Sequence, residues 1–100
     1  MTNMEVANTI AQQLGNGYNR IRAMTGAKQF VALDQGLMFR FPNGKGPNSV
    51  TIRLTPSDEY TMVFHRIVGT KVKVVEEFSG IHAPDLKTTF EKTTGLYLSL

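Results

Sequence analysis

The chain opens with apolar residues at four-residue steps, Val6, Ile10 and Leu14, with Ala7 and Ala11 beside them. That spacing lines up one narrow apolar stripe and predicts an amphipathic helix over "TNMEVANTIAQQLGNG". Thr2 and Glu5 have the spacing of a capping box, and Asn3 is an alternative N-cap. Gly15 is placed to end the helix in the left-handed conformation. The next segment, "YNRIRAMTGAK", fits two patterns. Ile21 and Met24 suit a short helix closed by Gly26, whereas Ile21, Ala23 and Thr25 would alternate along a strand. We favour the short helix.

From Gln29 the period changes to two. "KQFVAL" and "LMFRF" flank Asp34-Gln35-Gly36 and read as a hairpin, with Leu37, Phe39 and Phe41 on one side and Met38 and Arg40 on the other. Pro42 to Asn48 is rich in turn formers and reads as a loop. "SVTIRLT" sends Val50, Ile52 and Leu54 inward and Thr51, Arg53 and Thr55 outward. "YTMVFHRIV" alternates Tyr60, Met62 and Phe64 with Thr61, Val63 and His65. In "GTKVKVVEEF" the same alternation sets Lys71 and Lys73 on one face and Val72 and Val74 on the other. "HAPDLKTTFEKTTG" closes as a helix, with Pro84 in its first turn, Asp85 at the positive end of the dipole and Gly95 as its stop. The tail "LYLSL" is apolar enough that Leu96, Leu98 or Leu100 is expected to fold back on the core.

A helix, four or five sequential strands and a final helix make an α+β fold. The expected form is an antiparallel four- to five-stranded meander sheet with N-terminal and C-terminal helices packed on one face, since the strands alternate rather than being apolar throughout. One hundred residues without repeats or a linker fit a single domain spanning 1–100. An apolar fraction of 41% with 19% charged residues belongs to a folded rather than a disordered chain. The absence of cysteine excludes disulfides, thiolate metal sites and a thiol nucleophile. The N-terminus has neither the basic start nor the apolar run of a signal peptide, and no window approaches the roughly 18 apolar residues of a spanning helix. A cytoplasmic protein without membrane attachment is the expectation.

The net charge of +3 leans towards anionic partners, and the strand register concentrates that charge. Arg40, Arg53, His65, Lys71 and Lys73 come from neighbouring strands of the meander and are expected on one threonine-dotted open face. Arginine and lysine on such a face could displace the counterions of a phosphate backbone. The strand aromatics Phe39, Phe41, Tyr60 and Phe64 point instead to the core, so bases would find nothing to stack on. A solvated face is the plain alternative, because threonine, lysine and arginine tolerate strands and water, and lysine protects sheet edges.

Catalytic signatures are missing. "NGKGPN" lacks the spacing and the strand-to-helix setting of a phosphate-binding loop and reads as a hairpin tip, with Lys45 as a loop contact. His65 and His82 have no metal-ligand spacing to a second histidine or carboxylate, so no metal or cofactor is expected. Glu76 and Glu77 are adjacent on a strand and face opposite ways. Ser49, Ser57, Ser79 and Ser99 show no triad context. The chain does not read as an enzyme.

"RIRAMTGAKQF", "SVTIRLTPSDEYTMVFHRI" and "FEKTTGLYLSL" together resemble a family of small uncharacterised accessory proteins of bacteriophages and other mobile elements. The likeness runs from the first helix to the last leucine. It carries no established chemistry, so it transfers no functional residue. It implies an accessory protein in a bacterial cytoplasm, where proteins of this size are commonly binders, inhibitors of host defence among them. The reading that follows is a non-enzymatic binding protein contacting nucleic acid through Arg40, Arg53, His65, Lys71 and Lys73. The alternatives are an inhibitor whose basic face blocks an acidic surface on a host or defence protein, and a small structural component that self-associates as a homodimer through an edge strand and the "LYLSL" tail.

Overall fold

The computed structural model describes residues 2–98. Helix α1 (Asn3–Gly15) starts as its sequence predicts. The Thr2 hydroxyl accepts from the Glu5 N–H and the Glu5 carboxylate accepts from the Thr2 N–H, both at 3.2 Å. Asn3 does not cap. Its side chain accepts from the Gln35 N–H at 3.2 Å and ties the helix start to the first hairpin turn. The helix stop differs from expectation by one residue. Asn16, at φ 62°, takes the left-handed position, while Gly15 is the buried last helical residue. Glycine is needed there for space, because a Cβ on Gly15 would lie 2.7 Å from Cγ1 of Ile21. A short helix α2 (Tyr18–Thr25) follows and closes at Gly26, whose N–H donates to the Arg22 carbonyl at 2.8 Å.

Five strands then run in sequence: β1 (Lys28–Leu33), β2 (Gly36–Arg40), β3 (Ser49–Leu54), β4 (Tyr60–Val68) and β5 (Lys71–Ile81). All neighbours are antiparallel and the order is β1-β2-β3-β4-β5, an open meander with β1 and β5 at its edges. Gly36 begins β2 because nothing larger fits. A Cβ there would sit 2.6 Å from the Ile52 carbonyl oxygen. A 3-10 turn (Ala83–Asp85) leads into helix α3 (Leu86–Thr94), which Gly95 stops at φ 76°.

The helices cover one side of the sheet. Leu37, Ile52, Met62 and Phe78 align across four strands, as do Phe39, Val50 and Phe64 across three. Phe90 of α3 inserts among them, with ring centroids 5.3 Å from Phe41, 6.0 Å from Phe39 and 6.2 Å from Phe64. Ring contacts continue outward to Phe30 and Tyr18 at one edge and to Phe78 at the other. The tail returns as expected. Leu98 is buried, its N–H donates to Glu91 Oε2 at 2.8 Å, and its carbonyl accepts from Arg20 Nε at 3.3 Å. Leu96 packs partly against the core, while Ser99 and Leu100 lie outside the described residues.

Phe90→Ala removes the ring packed on Phe39, Phe41 and Phe64 and is expected to cost about 3–5 kcal/mol in urea unfolding. Tyr60 supplies a pH-dependent test. Its hydroxyl donates to Gln13 Oε1 at 2.6 Å, and burial, followed by the nearby Asp58 charge, raises its pKa above the ordinary 10.0. The folded chain therefore holds this proton more tightly than the unfolded chain. That contribution is intact below the unfolded value and is lost as pH rises through the folded one. Stability measured from about pH 9 to 12 should fall less steeply in Tyr60→Phe than in the wild type.

Candidate binding face of the sheet

Residues opposite one another in an antiparallel pair point to the same side of the sheet. The register therefore lays out the uncovered face row by row. One row is Lys28, Arg40, Ser49, His65 and Val74, the next is Val31, Met38, Thr51, Val63 and Glu77, and a third is Leu33, Gly36, Arg53 and Thr61. Neighbouring strands are about 4.8 Å apart, so Lys28 and His65 are separated by roughly 14 Å.

Three of the five expected cations share this face. Arg40 and His65 flank Ser49 and are half-buried. Arg53 lies exposed in the third row, where its guanidinium donates to the Asp34 carbonyl at 2.9 Å. The Ser49 hydroxyl, between Arg40 and His65, is buried with no hydrogen-bond partner among the described residues. An unpaired buried hydroxyl costs about 1–3 kcal/mol of stability.

Lys71 and Lys73 are not on this face, and a bulge is the reason. Phe64 pairs with Glu76 but His65 pairs with Val74, which leaves Val75 as one extra residue on β5. Beyond the bulge the alternation of β5 is inverted relative to β4. Lys73 pairs with Arg66 and Lys71 with Val68, on the helix side of the sheet. Val72 and Val74 come to the open side beside Ile67 and His65. The valines expected in the core are 62% and 52% exposed, because the bulge turns them to the side of the sheet that no helix covers. A second register shift accompanies Gly80, at φ 67°.

Two cations escaped the sequence reading. Lys28 joins the open face only because β1 carries its own irregularity, next to Gln29 at φ 58°. Nothing in the local pattern signals that. Arg66 is on the helix side, where its guanidinium donates to the carbonyls of Asn43 at 2.5 Å, Gly46 at 3.2 Å and Gly44 at 3.5 Å. It thereby fixes the loop that carries the exposed Lys45 at its tip. Its signal was a lone arginine on the apolar register of β4.

Two concavities hold little reactive chemistry. One, under α1 and α2, is lined by Met4, Tyr18, Asn19, Arg22, Phe30, Ala32 and Leu37, with the Arg22 guanidinium 5.3 Å from the Phe30 ring centre. The other, beside the β2–β3 loop, is lined by Gly46, Arg66, Lys73, Val74 and Val75. Neither brings a nucleophile to a base or two carboxylates together. Among the described residues no three His, Asp or Glu side chains gather at metal-binding distance, and no helix is long and apolar enough to cross a membrane. Comparison with protein families, characterised proteins and solved structures finds no match to this chain.

Arg66→Met removes three charge-assisted bonds to the loop. The expected result is faster amide exchange confined to residues 43–48, at a stability cost of about 1–2 kcal/mol.

Proposed function

We propose that this chain is a non-enzymatic binding protein that docks through the uncovered face of its sheet onto another protein with an acidic rim. The observation that carries this reading is the layout of the rows. Val31, Met38 and Val63 make the middle row largely apolar, broken by Thr51 and ending at Glu77, with Lys28, Arg40 and His65 on one side and Arg53 on the other. An apolar centre with a charged border is the anatomy of a protein interface, and the basic border selects an acidic counterpart. A phosphate backbone would gain from charge alone, yet the bulge withdraws two of the five expected cations and the face presents no aromatic ring. The resemblance to accessory proteins of phages and mobile elements supports the same reading, with the counterpart supplied by a bacterial host or its defences.

The test is affinity capture from a nuclease-treated bacterial extract, with the eluate resolved for discrete protein bands. The wild type should retain one defined protein, and Val63→Asp and Arg40→Glu should each weaken that retention about tenfold or more while remaining folded. Lys71→Glu should leave it unchanged. Oligonucleotide binding with a log–log salt slope of about −3 to −5, abolished by reversing Arg40 and Arg53, would replace this reading with the nucleic-acid one.

A further inference from the structure

Strand β5 is an eleven-residue edge strand, exposed along most of its length. The backbone groups it presents outward follow from the hydrogen bonds of β4. The His65 carbonyl accepts from the Asn48 N–H at 2.9 Å, and the Ile67 N–H donates to Asn48 Oδ1 at 2.8 Å, so these two residues turn towards β3. Phe64, Arg66 and Val68 alternate with them and turn towards β5, where they pair with Glu76, Lys73 and Lys71. The backbone groups of Val72, Val74 and Glu77 are then directed at the free edge.

The side chains on this strand are divided by charge. Lys71 and Lys73 precede the bulge and Glu76 and Glu77 follow it, and none of the four makes an ion pair or side-chain hydrogen bond among the described residues. Lys73 also stands directly opposite Arg66, a like-charge pair that costs stability. A strand that is basic in its first half and acidic in its second is complementary to itself when run antiparallel.

We infer that the occupant of this edge is a second copy of the chain, β5 against β5 about a two-fold axis between Val74 and Val75. This goes beyond the proposed docking face, since it uses the edge of the sheet and leaves that face free. The register is constrained three ways. Lys73 faces Glu76 of the second copy, once on each side of the axis. Val72 faces Glu77, both with outward backbone groups, so they form the hydrogen-bonded pairs. Each pairing matches side to side, because the bulge puts Lys73 and Glu76 on the helix side and Val72 and Glu77 on the open side. Without the extra residue, Lys73 and Glu76 would point to opposite sides and the charges could not meet. A two-fold interface must be self-complementary, and edge pairing supplies main-chain hydrogen bonds along with the two ion pairs. The product is one continuous ten-stranded sheet with every helix on the same side.

Sedimentation equilibrium of the full chain over a concentration series tests this. The wild type should show a monomer–dimer equilibrium. Lys73→Glu and Glu76→Lys should each weaken it about tenfold, because each places like charges opposite one another twice. The double variant K73E/E76K exchanges the charges and should restore the dimer to within about threefold of wild type. Val31→Asp, on the docking face at the opposite edge of the sheet, should leave the dimer unchanged. A wild type that stays monomeric, single reversals without effect, a double variant as weak as the singles, or a dimer lost in Val31→Asp would each overturn the proposal. None of these outcomes bears on capture of a heterologous protein by the open face.

Discussion

The whole arrangement depends on covering one side of a five-stranded sheet with three short helices. Burial of Leu37, Ile52, Met62 and Phe78 in one line, with Phe39, Val50 and Phe64 in the next, is what holds the register. A slip of one residue on any central strand would carry its apolar set into water, and β-pairing alone offers no comparable penalty. Phe90 reinforces the lock by touching rings from β2, the segment after it, and β4 at once. α1 holds the opposite end of the layer, where Asn3 receives the hairpin turn and Gly15 lets Ile21 approach.

The proposed docking face and the proposed dimer edge lie where that cover stops. The uncovered face is not a uniformly polar surface but a largely apolar row between Lys28, Arg40 and His65 on one side and Arg53 on the other, and Ser49 is buried in that face without a partner among the described residues. The far end of the β4–β5 ribbon is exposed on both sides, so alternation there no longer separates inside from outside. On that ribbon Lys71 and Lys73 are better understood as edge residues than as part of a binding face. Edge lysines and a bulge discourage indiscriminate strand pairing. In the proposed dimer the same two devices would also define a single antiparallel register, selecting a partner as well as repelling others.

Much of the fold was legible from spacing. The capping box at Thr2 and Glu5, the change of period at Gln29, the inward aromatics and the stops at Gly26 and Gly95 all reflect local chemistry, and each appears in the structure. Gly15 was harder to read. Glycine near a helix end suggests a left-handed cap, but the close approach of Ile21, a tertiary contact, is what excludes a side chain there. The candidate site was legible in part. Arg40, Arg53 and His65 belong to strands without interruption, and simple alternation puts them on one face. Lys28, Lys71 and Lys73 belong to strands with irregularities, and for these the period of two misleads.

The order of apolar and polar residues was therefore sufficient to determine the element order, the α+β class and the composition of the core, because burial of one stripe or one side is a local pattern. It could not determine which side the β5 lysines occupy, nor that its valines would be exposed. Those follow from where two strands of unequal local length are brought into register, and one unmatched residue at Val75 is decided by pairing between strands rather than by any preference within them.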